Sequence, residues 1–168
     1  MEALFIQRAV CPADPWSGHV AFPGGRRESP DEDLESVARR ETREEVGLQL
    51  TPKMRIGRLP DVFGGRFGGQ GLLISPFVFH HPAPPLLELN PEVASAIWIP
   101  LACLAEPNSV KTYCRPVGPT QRRFPSFHYQ GYVIWGLTYR MVASFMRLFG
   151  VELPSEESMT RLEKGRSE

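Results

Sequence analysis

Residues 22–48 read FPGGRRESPDEDLESVARRETREEVGL, and this stretch carries the strongest signal for the fold. The Pro23-Gly24-Gly25 tripeptide predicts a sharp turn, because glycine adopts backbone conformations that other residues avoid. A helix is predicted directly after it. Ser29 is a favourable N-cap, Pro30 fits the first helical position, and Gly47 fits the position just past the helix end. The stretch therefore predicts a tight turn joined to one helix.

Three glutamates lie in the second half of this helix. Glu41, Glu44 and Glu45 are spaced i, i+3 and i+4, which places their carboxylates on one helical face. Like charges at this spacing repel unless something compensates them. Hard divalent cations such as Mg²⁺ or Mn²⁺ prefer oxygen ligands and supply that compensation. The alternative is a solvated acidic face whose charge Arg40 and Arg43 balance.

The turn before the helix decides between these two interpretations. A carbonyl freed in the Gly24-Gly25 turn is a further hard ligand for a metal ion. Turn and helix together resemble the Nudix box: Gly, five residues, Glu, seven residues, Arg-Glu, an apolar residue, any residue, Glu-Glu, any residue, Gly and an apolar residue. The residues that fall in register are Glu32, Arg40, Glu41, Glu44, Glu45, Gly47 and Leu48. Two positions depart from the box, since six residues separate Gly25 from Glu32 and Thr42 replaces an apolar residue.

The resemblance implies an α/β fold, the Nudix-type α/β/α sandwich with a mixed sheet. It also implies hydrolysis of a nucleotide-linked diphosphate with Mg²⁺ or Mn²⁺ as cofactor. By the same resemblance, Glu41 and Glu45 are the main metal ligands, and Glu44 binds a second ion or acts as base. The carbonyl of Gly24 completes the inner metal shell, and Arg40 orients Glu41.

Four further residues near this box each carry two interpretations. Glu32 either holds Arg40 or closes a capping box at the helix start. Arg26 and Arg27 either clamp the diphosphate or are plain surface arginines. Glu92 is either another metal-site carboxylate, as the resemblance implies, or an acid of a helix or loop.

The flanks are similar to one subgroup of the family, the coenzyme A diphosphatases. The similarity covers residues 4–8 and 17–25, then 89–93 and 98–101, and finally residues 134–138 in the last helix. It implies coenzyme A as substrate, cleaved to adenosine 3′,5′-bisphosphate and 4′-phosphopantetheine. The alternatives are a Nudix diphosphatase for ADP-ribose, a dinucleotide or a nucleoside triphosphate, and a Nudix binding module without turnover.

The N-terminal flank departs from the subgroup pattern at three positions. Arg8 is displaced by one residue, Val10 replaces a serine, and Asp14 stands where a second arginine is usual. Losing a positive charge near an anionic substrate removes a charge-assisted hydrogen bond. This departure concerns the substrate and leaves hydrolysis itself intact.

The amino-acid composition limits the classes of binding partner that the sequence predicts. Lys plus Arg equals Asp plus Glu at 19 each, so the formal net charge of zero favours neither nucleic acid nor an anionic membrane as a bulk partner. Cys11, Cys103 and Cys114 lie far apart, which argues for reduced thiols and a cytoplasmic location. The N-terminus does not resemble a signal peptide, and residues 132–150 are too short and charged to span a bilayer. The expected partner is a small-molecule nucleotide.

Hydrophobic patterning predicts one domain over residues 1–153 and a polar tail over residues 154–168. Predicted strands cover residues 4–8, 19–22, 54–59, 72–80, 94–100, 109–113 and 126–129, the last two as edge strands, with one helical turn at 100–105. Residues 64–71 are a flexible connection or a substrate lid. A final helix over residues 134–149 has an inner stripe of Leu137, Met141, Phe145 and Leu148, and its apolar face serves as core or as a dimer contact. Both a monomer and a homodimer fit.

Overall fold

The computed structural model describes residues 1–67, 70–117 and 120–156, and the chain forms two compact units. The first unit is Ala3–Trp98, and the second joins Met1–Glu2 to Ile99–Glu168. Helices and strands occur in both units, so the predicted mixed α/β class is confirmed. Most of the tail predicted for residues 154–168 lies outside the described residues.

The first unit contains residues 22–48, the stretch with the predicted turn and helix. It contains β2 (Val20–Ala21), α1 (Leu34–Val46), a 3₁₀ turn (Pro52–Met54), β3 (Arg55–Arg58), β4 (Val62–Phe67), β5 (Gln70–Ile74) and β6 (Phe77–Phe79). It also contains β1 (Glu2–Arg8) apart from Glu2, and β7 (Val93–Pro100) apart from its last two residues. Strand β1 lies between β2 and β7, and it pairs with β2 in antiparallel register, Ile6 opposite Ala21. Strand β3 pairs with β6, and β4 pairs with β5.

A small apolar cluster joins α1 to the β2–β1–β7 sheet. Ile6 from β1, Val46 from the end of α1 and Val93 from the start of β7 are 1%, 0% and 6% exposed. The partly buried side chains around them are Leu4, Ala21, Leu48, Leu87 and Ala96. Burial of such side chains contributes roughly 1.5–3 kcal/mol each. This cluster fixes the inner face of α1 and leaves its glutamates on another face.

Helix α1 begins four residues later than Ser29 and Pro30 predict. Its N-cap is Asp33, whose side chain accepts from the Ser36 backbone N–H, and the Ser36 hydroxyl in turn accepts from the Asp33 N–H. The predicted cap at Ser29, with Glu32 closing its capping box, is therefore wrong. The helix end is confirmed at Gly47, where φ is 72° and a Cβ atom would lie 2.9 Å from the Glu88 Cβ atom.

Two predicted segments between α1 and β7 differ from the structure. The strand predicted over residues 72–80 is broken at Ser75-Pro76 into β5 and β6, because proline cannot donate a hydrogen bond to a sheet. The flexible connection predicted over residues 64–71 largely belongs to the β4–β5 hairpin, in which Phe67 lies opposite Gln70. Residues 68 and 69 lie outside the described residues, so the lid interpretation stays untested.

The second unit contains a three-stranded antiparallel sheet and two α-helices in its described residues. Its elements are α2 (Leu101–Ala105), a 3₁₀ turn (Pro107–Ser109), β8 (Val110–Val117), β9 (Thr120–Tyr129), β10 (Tyr132–Trp135) and α3 (Gly136–Arg147). The strand order is β10–β9–β8, so residues 126–129 lie in the central strand and not at an edge as predicted. Phe127 on β9 packs against Tyr139 on α3, with ring centroids 4.9 Å apart.

The last helix starts at Gly136 and not at residue 134 as predicted, because residues 132–135 form β10. Its buried residues are Thr138, Tyr139, Met141, Val142 and Met146. Met141 of the predicted inner stripe is buried, whereas Leu148 lies beyond the helix and is 70% exposed. In the part of the chain that the structure describes, helices are too short or too polar to cross a bilayer.

Candidate active site

A polar pocket of about 280 Å³ lies beside the second half of α1 within the first unit. Its lining residues are Arg8, Gly24, Gly25, Arg26, Glu28, Arg40, Glu41, Glu44, Glu45, Asn90 and Glu92. The turn before α1, the helix itself, the end of β1 and the loop before β7 each contribute to this lining. Glu41, Glu44 and Glu45, which the sequence places on one helical face, thus meet in one pocket.

The double-glycine turn lies directly against the glutamates. Phe22 anchors the turn by stacking on Phe5, with ring centroids 4.7 Å apart. A Cβ atom at Gly25 would overlap the Glu41 carboxylate, so a larger residue there would displace that side chain. The Gly24 N–H donates to Glu45 Oε2 at 2.9 Å. The structure thus brings Gly24 to Glu45 through its N–H, and the metal-binding role of its carbonyl stays a prediction.

Glu45 is the most buried carboxylate of the pocket, with 2% of the residue exposed. Burial raises the pKa of Glu45 to about 7, and the neighbouring charges of Glu41 and Glu92 add to the increase. The Gly24 hydrogen bond and the charge of Arg8 act in the opposite direction. Burial also raises the pKa of Glu41, against the stabilising charge of Arg40. Burial is therefore the main cause of both raised pKa values.

Arg40 links the helix to the preceding loop and contacts two of the pocket glutamates. Its Nε and Nη2 atoms donate to the two carboxylate oxygens of Asp31 at 3.0 and 3.1 Å. Its Nη1 atom lies 3.0 Å from Glu41 Oε1 and 3.0 Å from Glu44 Oε2. Nη2 also donates to the carbonyl of Arg26 at 3.1 Å. The predicted contact between Arg40 and Glu41 is present.

The carboxylate that holds Arg40 is Asp31, and the role predicted for Glu32 is wrong. Asp31 is 7% exposed, and its pKa is lowered by the hydrogen bonds from Arg40 and from the Glu28 N–H. Glu32 is exposed. Five residues separate Gly25 from Asp31, which is the spacing of the Nudix box. The extra residue of this chain therefore lies after the acid, and that spacing was the signal for Asp31.

The two arginines after the turn lie in different places. Arg26 is exposed and lines the pocket. Arg27 donates from Nη2 to the carbonyl oxygens of Asp31 and Glu32, at 3.2 and 2.9 Å, and does not line the pocket. The diphosphate clamp predicted for both arginines stays a prediction, and only Arg26 lines the pocket. Glu92, predicted as a fourth metal-site carboxylate, does line the pocket.

Three pocket residues were missed in the sequence. Arg8 lies at the end of β1, where its Nη1 atom is 3.9 Å from Glu45 Oε1. Asn90 donates its N–H to the Glu45 carbonyl at 3.1 Å, so the loop before β7 is tied to the end of α1. Glu28 adds a carboxylate from the loop before α1. Arg8 stood out as a departure from the subgroup pattern, Asn90 lay in the segment 89–93 that resembles the subgroup, and nothing local marked Glu28.

The pocket contains oxygen atoms of the kind that a hard cation prefers, but they are not arranged as a complete metal site. Its acidic side chains and backbone carbonyls are oxygen donors of the kind that Mg²⁺ and Mn²⁺ prefer. Among the described residues, however, no group of three acidic, histidine or cysteine side chains converges closely enough to hold a metal ion. Arg40 lies between Glu41 and Glu44. To hold a divalent cation, Glu41 and Glu44 would have to turn away from this arginine.

Comparison with known proteins identifies the class. The family model of the NUDIX domain matches residues 1–115, and the chain belongs to the Nudix hydrolase family. It is 31% identical over 140 residues to an uncharacterized Nudix hydrolase, NudL, of Photorhabdus laumondii, covering 83% of this chain and 73% of that one. It is also 31% identical over 153 residues to NudL of Salmonella paratyphi B, covering 89% and 76%.

Two other relatives are longer than this chain. An uncharacterized protein of Schizosaccharomyces pombe is 44% identical over 109 residues, which are 62% of this chain and 33% of that protein. A solved MutT/nudix family protein of Enterococcus faecalis superposes with a TM-score of 0.58 at 14% identity, covering 96% of this chain and 60% of that one. This likeness confirms the Nudix-type fold. The chain thus spans about a third of one relative and three fifths of the other.

Proposed function

We propose that this chain hydrolyses the diphosphate bond of a small nucleotide-linked substrate with Mg²⁺ or Mn²⁺ as cofactor. The observation that carries the proposal is one pocket in which Glu41, Glu44 and Glu45 face the arginines Arg8 and Arg26. Clustered carboxylates suit divalent ions, and arginines suit phosphate oxygens. Family membership supports the same reaction.

The proposed reaction joins a water oxygen to one phosphorus while the bridging P–O bond breaks, and the water's protons pass to base and solvent. A bound divalent cation would polarise the phosphate and lower the pKa of water. Glu41 and Glu45 are proposed to hold it, with Glu92 and the Gly24 carbonyl as further ligands. Glu44, whose side chain is 45% exposed, is proposed to receive a proton or bind a second ion.

Coenzyme A is the first substrate we propose to test, because the chain resembles coenzyme A diphosphatases at both flanks of the box. Its cleavage would release adenosine 3′,5′-bisphosphate and 4′-phosphopantetheine. ADP-ribose, a dinucleotide and a nucleoside triphosphate are the alternatives. The free thiols of Cys11, Cys103 and Cys114 support a reducing, cytoplasmic setting.

A substrate panel tests this proposal. Coenzyme A, ADP-ribose, a dinucleotide and a nucleoside triphosphate are each incubated with the protein and Mn²⁺, and products are separated by chromatography. We expect at least one diphosphate to be cleaved, with a kcat/KM at least about tenfold above the poorest substrate. A protein that binds these nucleotides but cleaves none of them would instead be a binding module.

A further inference from the structure

The pocket arginines differ in how many of their hydrogen-bond donors are already engaged. Arg40 uses all three of its nitrogen atoms on Asp31, on Glu44 and on the carbonyl of Arg26. A phosphate could bind Arg40 only by displacing those partners. Arg40 therefore connects α1 to the loop before it.

The Arg8 guanidinium is hydrogen-bonded at Nε, and its two Nη atoms are available to bind another group. Its Nε atom donates to Asp14 Oδ2 at 2.8 Å, and its side chain is 27% exposed. Among the described residues, no hydrogen bond is formed by its two Nη atoms; Nη1 lies 3.9 Å from Glu45 Oε1. A guanidinium has five N–H donors, so most of those of Arg8 remain for an anion in the pocket.

Asp14 is itself fixed by the loop between β1 and β2. Its Oδ1 atom accepts the Trp16 N–H at 2.9 Å, while Oδ2 binds Arg8. Its backbone N–H donates to the Cys11 carbonyl, and its own carbonyl accepts from the Ser17 N–H, both at 3.0 Å. The Asp14 side chain is 16% exposed. The loop thus folds around a carboxylate whose free oxygen binds Arg8.

We infer that Arg8 binds a phosphate oxygen of the substrate and that Asp14 is the positioning residue that orients it. The inference rests on the proposed function for the identity of the anion. An arginine already fixed through Nε loses little side-chain entropy on binding, unlike the exposed Arg26. Arg8 also separates the phosphate charge from the buried Glu45. Arg8 therefore sets substrate affinity, and Asp14 acts on affinity through Arg8.

The test measures binding separately from turnover. Affinity for α,β-methylene-ADP, whose P–C–P bridge resists hydrolysis, is measured by calorimetry with Mg²⁺ present. KM and kcat are measured on the best substrate of the panel. The variants are Arg8→Ala, Arg8→Lys and Asp14→Asn. Arg58→Ala and Asp61→Asn are matched controls, since Arg58 and Asp61 form an exposed Arg–Asp ion pair in the same unit outside the pocket.

We expect Arg8→Ala to weaken binding at least about tenfold and Arg8→Lys to weaken it less. Asp14→Asn should raise KM about three- to tenfold while kcat changes less than about twofold. Thermal melts confirm that each variant is folded. Binding by folded Arg8→Lys and Asp14→Asn that equals the two controls would overturn the inference. If the parent cleaves nothing but its binding depends on Arg8, the proposed function fails and this inference stands.

Discussion

Asp31 and Glu32 are adjacent acids with different surroundings. The Asp31 carboxylate is buried under the Arg40 guanidinium, whereas Glu32 offers only its carbonyl, to Arg27. The register of the Nudix box indicated Glu32 as the residue that holds Arg40, with a capping box at the helix start as the alternative. An extra residue between the acid and Arg40 shifts the register by one, and side-chain contacts decide which acid is used. A motif with one inserted residue therefore predicts the type of contact but not the residue that makes it.

Replacing these two acids separately tests the assignment. Asp31→Asn removes the charged partner that holds Arg40 in place. The Arg40 guanidinium can then move toward Glu41 and Glu44 and displace them. We expect activity to fall roughly 10- to 100-fold, as for residues that orient metal ligands. Glu32→Gln should keep activity within about twofold of the parent. Steady-state kinetics on both variants measure this, and the reverse order would restore Glu32 to the role predicted from the sequence.

Glu45 is the residue whose replacement should affect catalysis most. Glu45→Gln keeps the side-chain volume and removes the buried charge, so the pocket loses a principal cation ligand. We expect kcat to fall by at least about a hundredfold, since a metal site contributes several kcal/mol to lowering the barrier. A variant that kept more than about a tenth of the parental kcat would show that Glu45 is not a principal ligand.

The same substitution should change how stability depends on pH in metal-free protein. Burial raises the pKa of Glu45 to about 7 from 4.5, so the folded state binds a proton that the unfolded state has lost between these values. By linkage, the contribution of Glu45 to stability falls as pH rises through this window. Carboxylates with lowered pKa values, such as Asp14 and Asp31, act in the opposite direction. The difference between variant and parent isolates Glu45.

Denaturant unfolding in EDTA at pH 5 and pH 8 measures that difference. We expect Glu45→Gln to gain on the parent as pH rises, by on the order of 1–3 kcal/mol. Added Mg²⁺ or Mn²⁺ should stabilise the parent and reverse the order, because the cation binds the folded state. A constant difference between variant and parent at both pH values would mean that Glu45 titrates normally.

At the scale of elements, α1 shows what local sequence determines and what it does not. Its end was predictable because Gly47 adopts the left-handed conformation of a helix C-cap. Its start was not, because both Ser29 and Asp33 are good N-caps followed by suitable residues. In the structure Asp33 is the N-cap, because the residues before it form a turn in which the Asp31 side chain binds Arg40. Tertiary contacts therefore decided between two equivalent local signals.

The two N-cap candidates can be compared directly. Asp33→Ala removes the acceptor of the Ser36 N–H and leaves a donor of the first turn unpaired. We expect the melting temperature to fall by about 3 °C for Asp33→Ala and by less than about 1 °C for Ser29→Ala. Calorimetry in EDTA measures both. Equal shifts, or a larger shift for Ser29→Ala, would contradict the observed cap.

Two other boundaries carried a signal that the hydrophobic pattern hid. Pro76 interrupts the apolar run of residues 72–80 and splits it into two strands, as its missing N–H requires. Gln130 and Gly131 both have positive φ angles, 47° and 90°, and form the tight turn between β9 and β10. Reading these residues as turn signals would have placed β10 before α3. Apolar runs alone could not separate strand from helix.

At the scale of the whole molecule, the candidate site belongs to one compact unit. All the pocket-lining residues fall within Ala3–Trp98. The class of fold and the three clustered glutamates could be predicted from sequence, because a local motif carries both. Arg8, Asn90 and Glu28 could not, because chain folding brings them from outside the helix. The expectation of one domain over residues 1–153 stays a prediction.

The reaction that we propose for this pocket is metal-dependent cleavage of a diphosphate. Its most direct test follows coenzyme A and ADP-ribose by ³¹P NMR in ¹⁸O-labelled water, with protein stripped by EDTA and then supplied with Mg²⁺ or Mn²⁺. Glu45→Gln, purified in parallel, controls for contaminating hydrolases. We predict no cleavage in EDTA, cleavage with either metal, and ¹⁸O in one product phosphate. Full cleavage by the chelated protein would contradict the account, and so would no cleavage of these two diphosphates or of the other panel substrates with either metal.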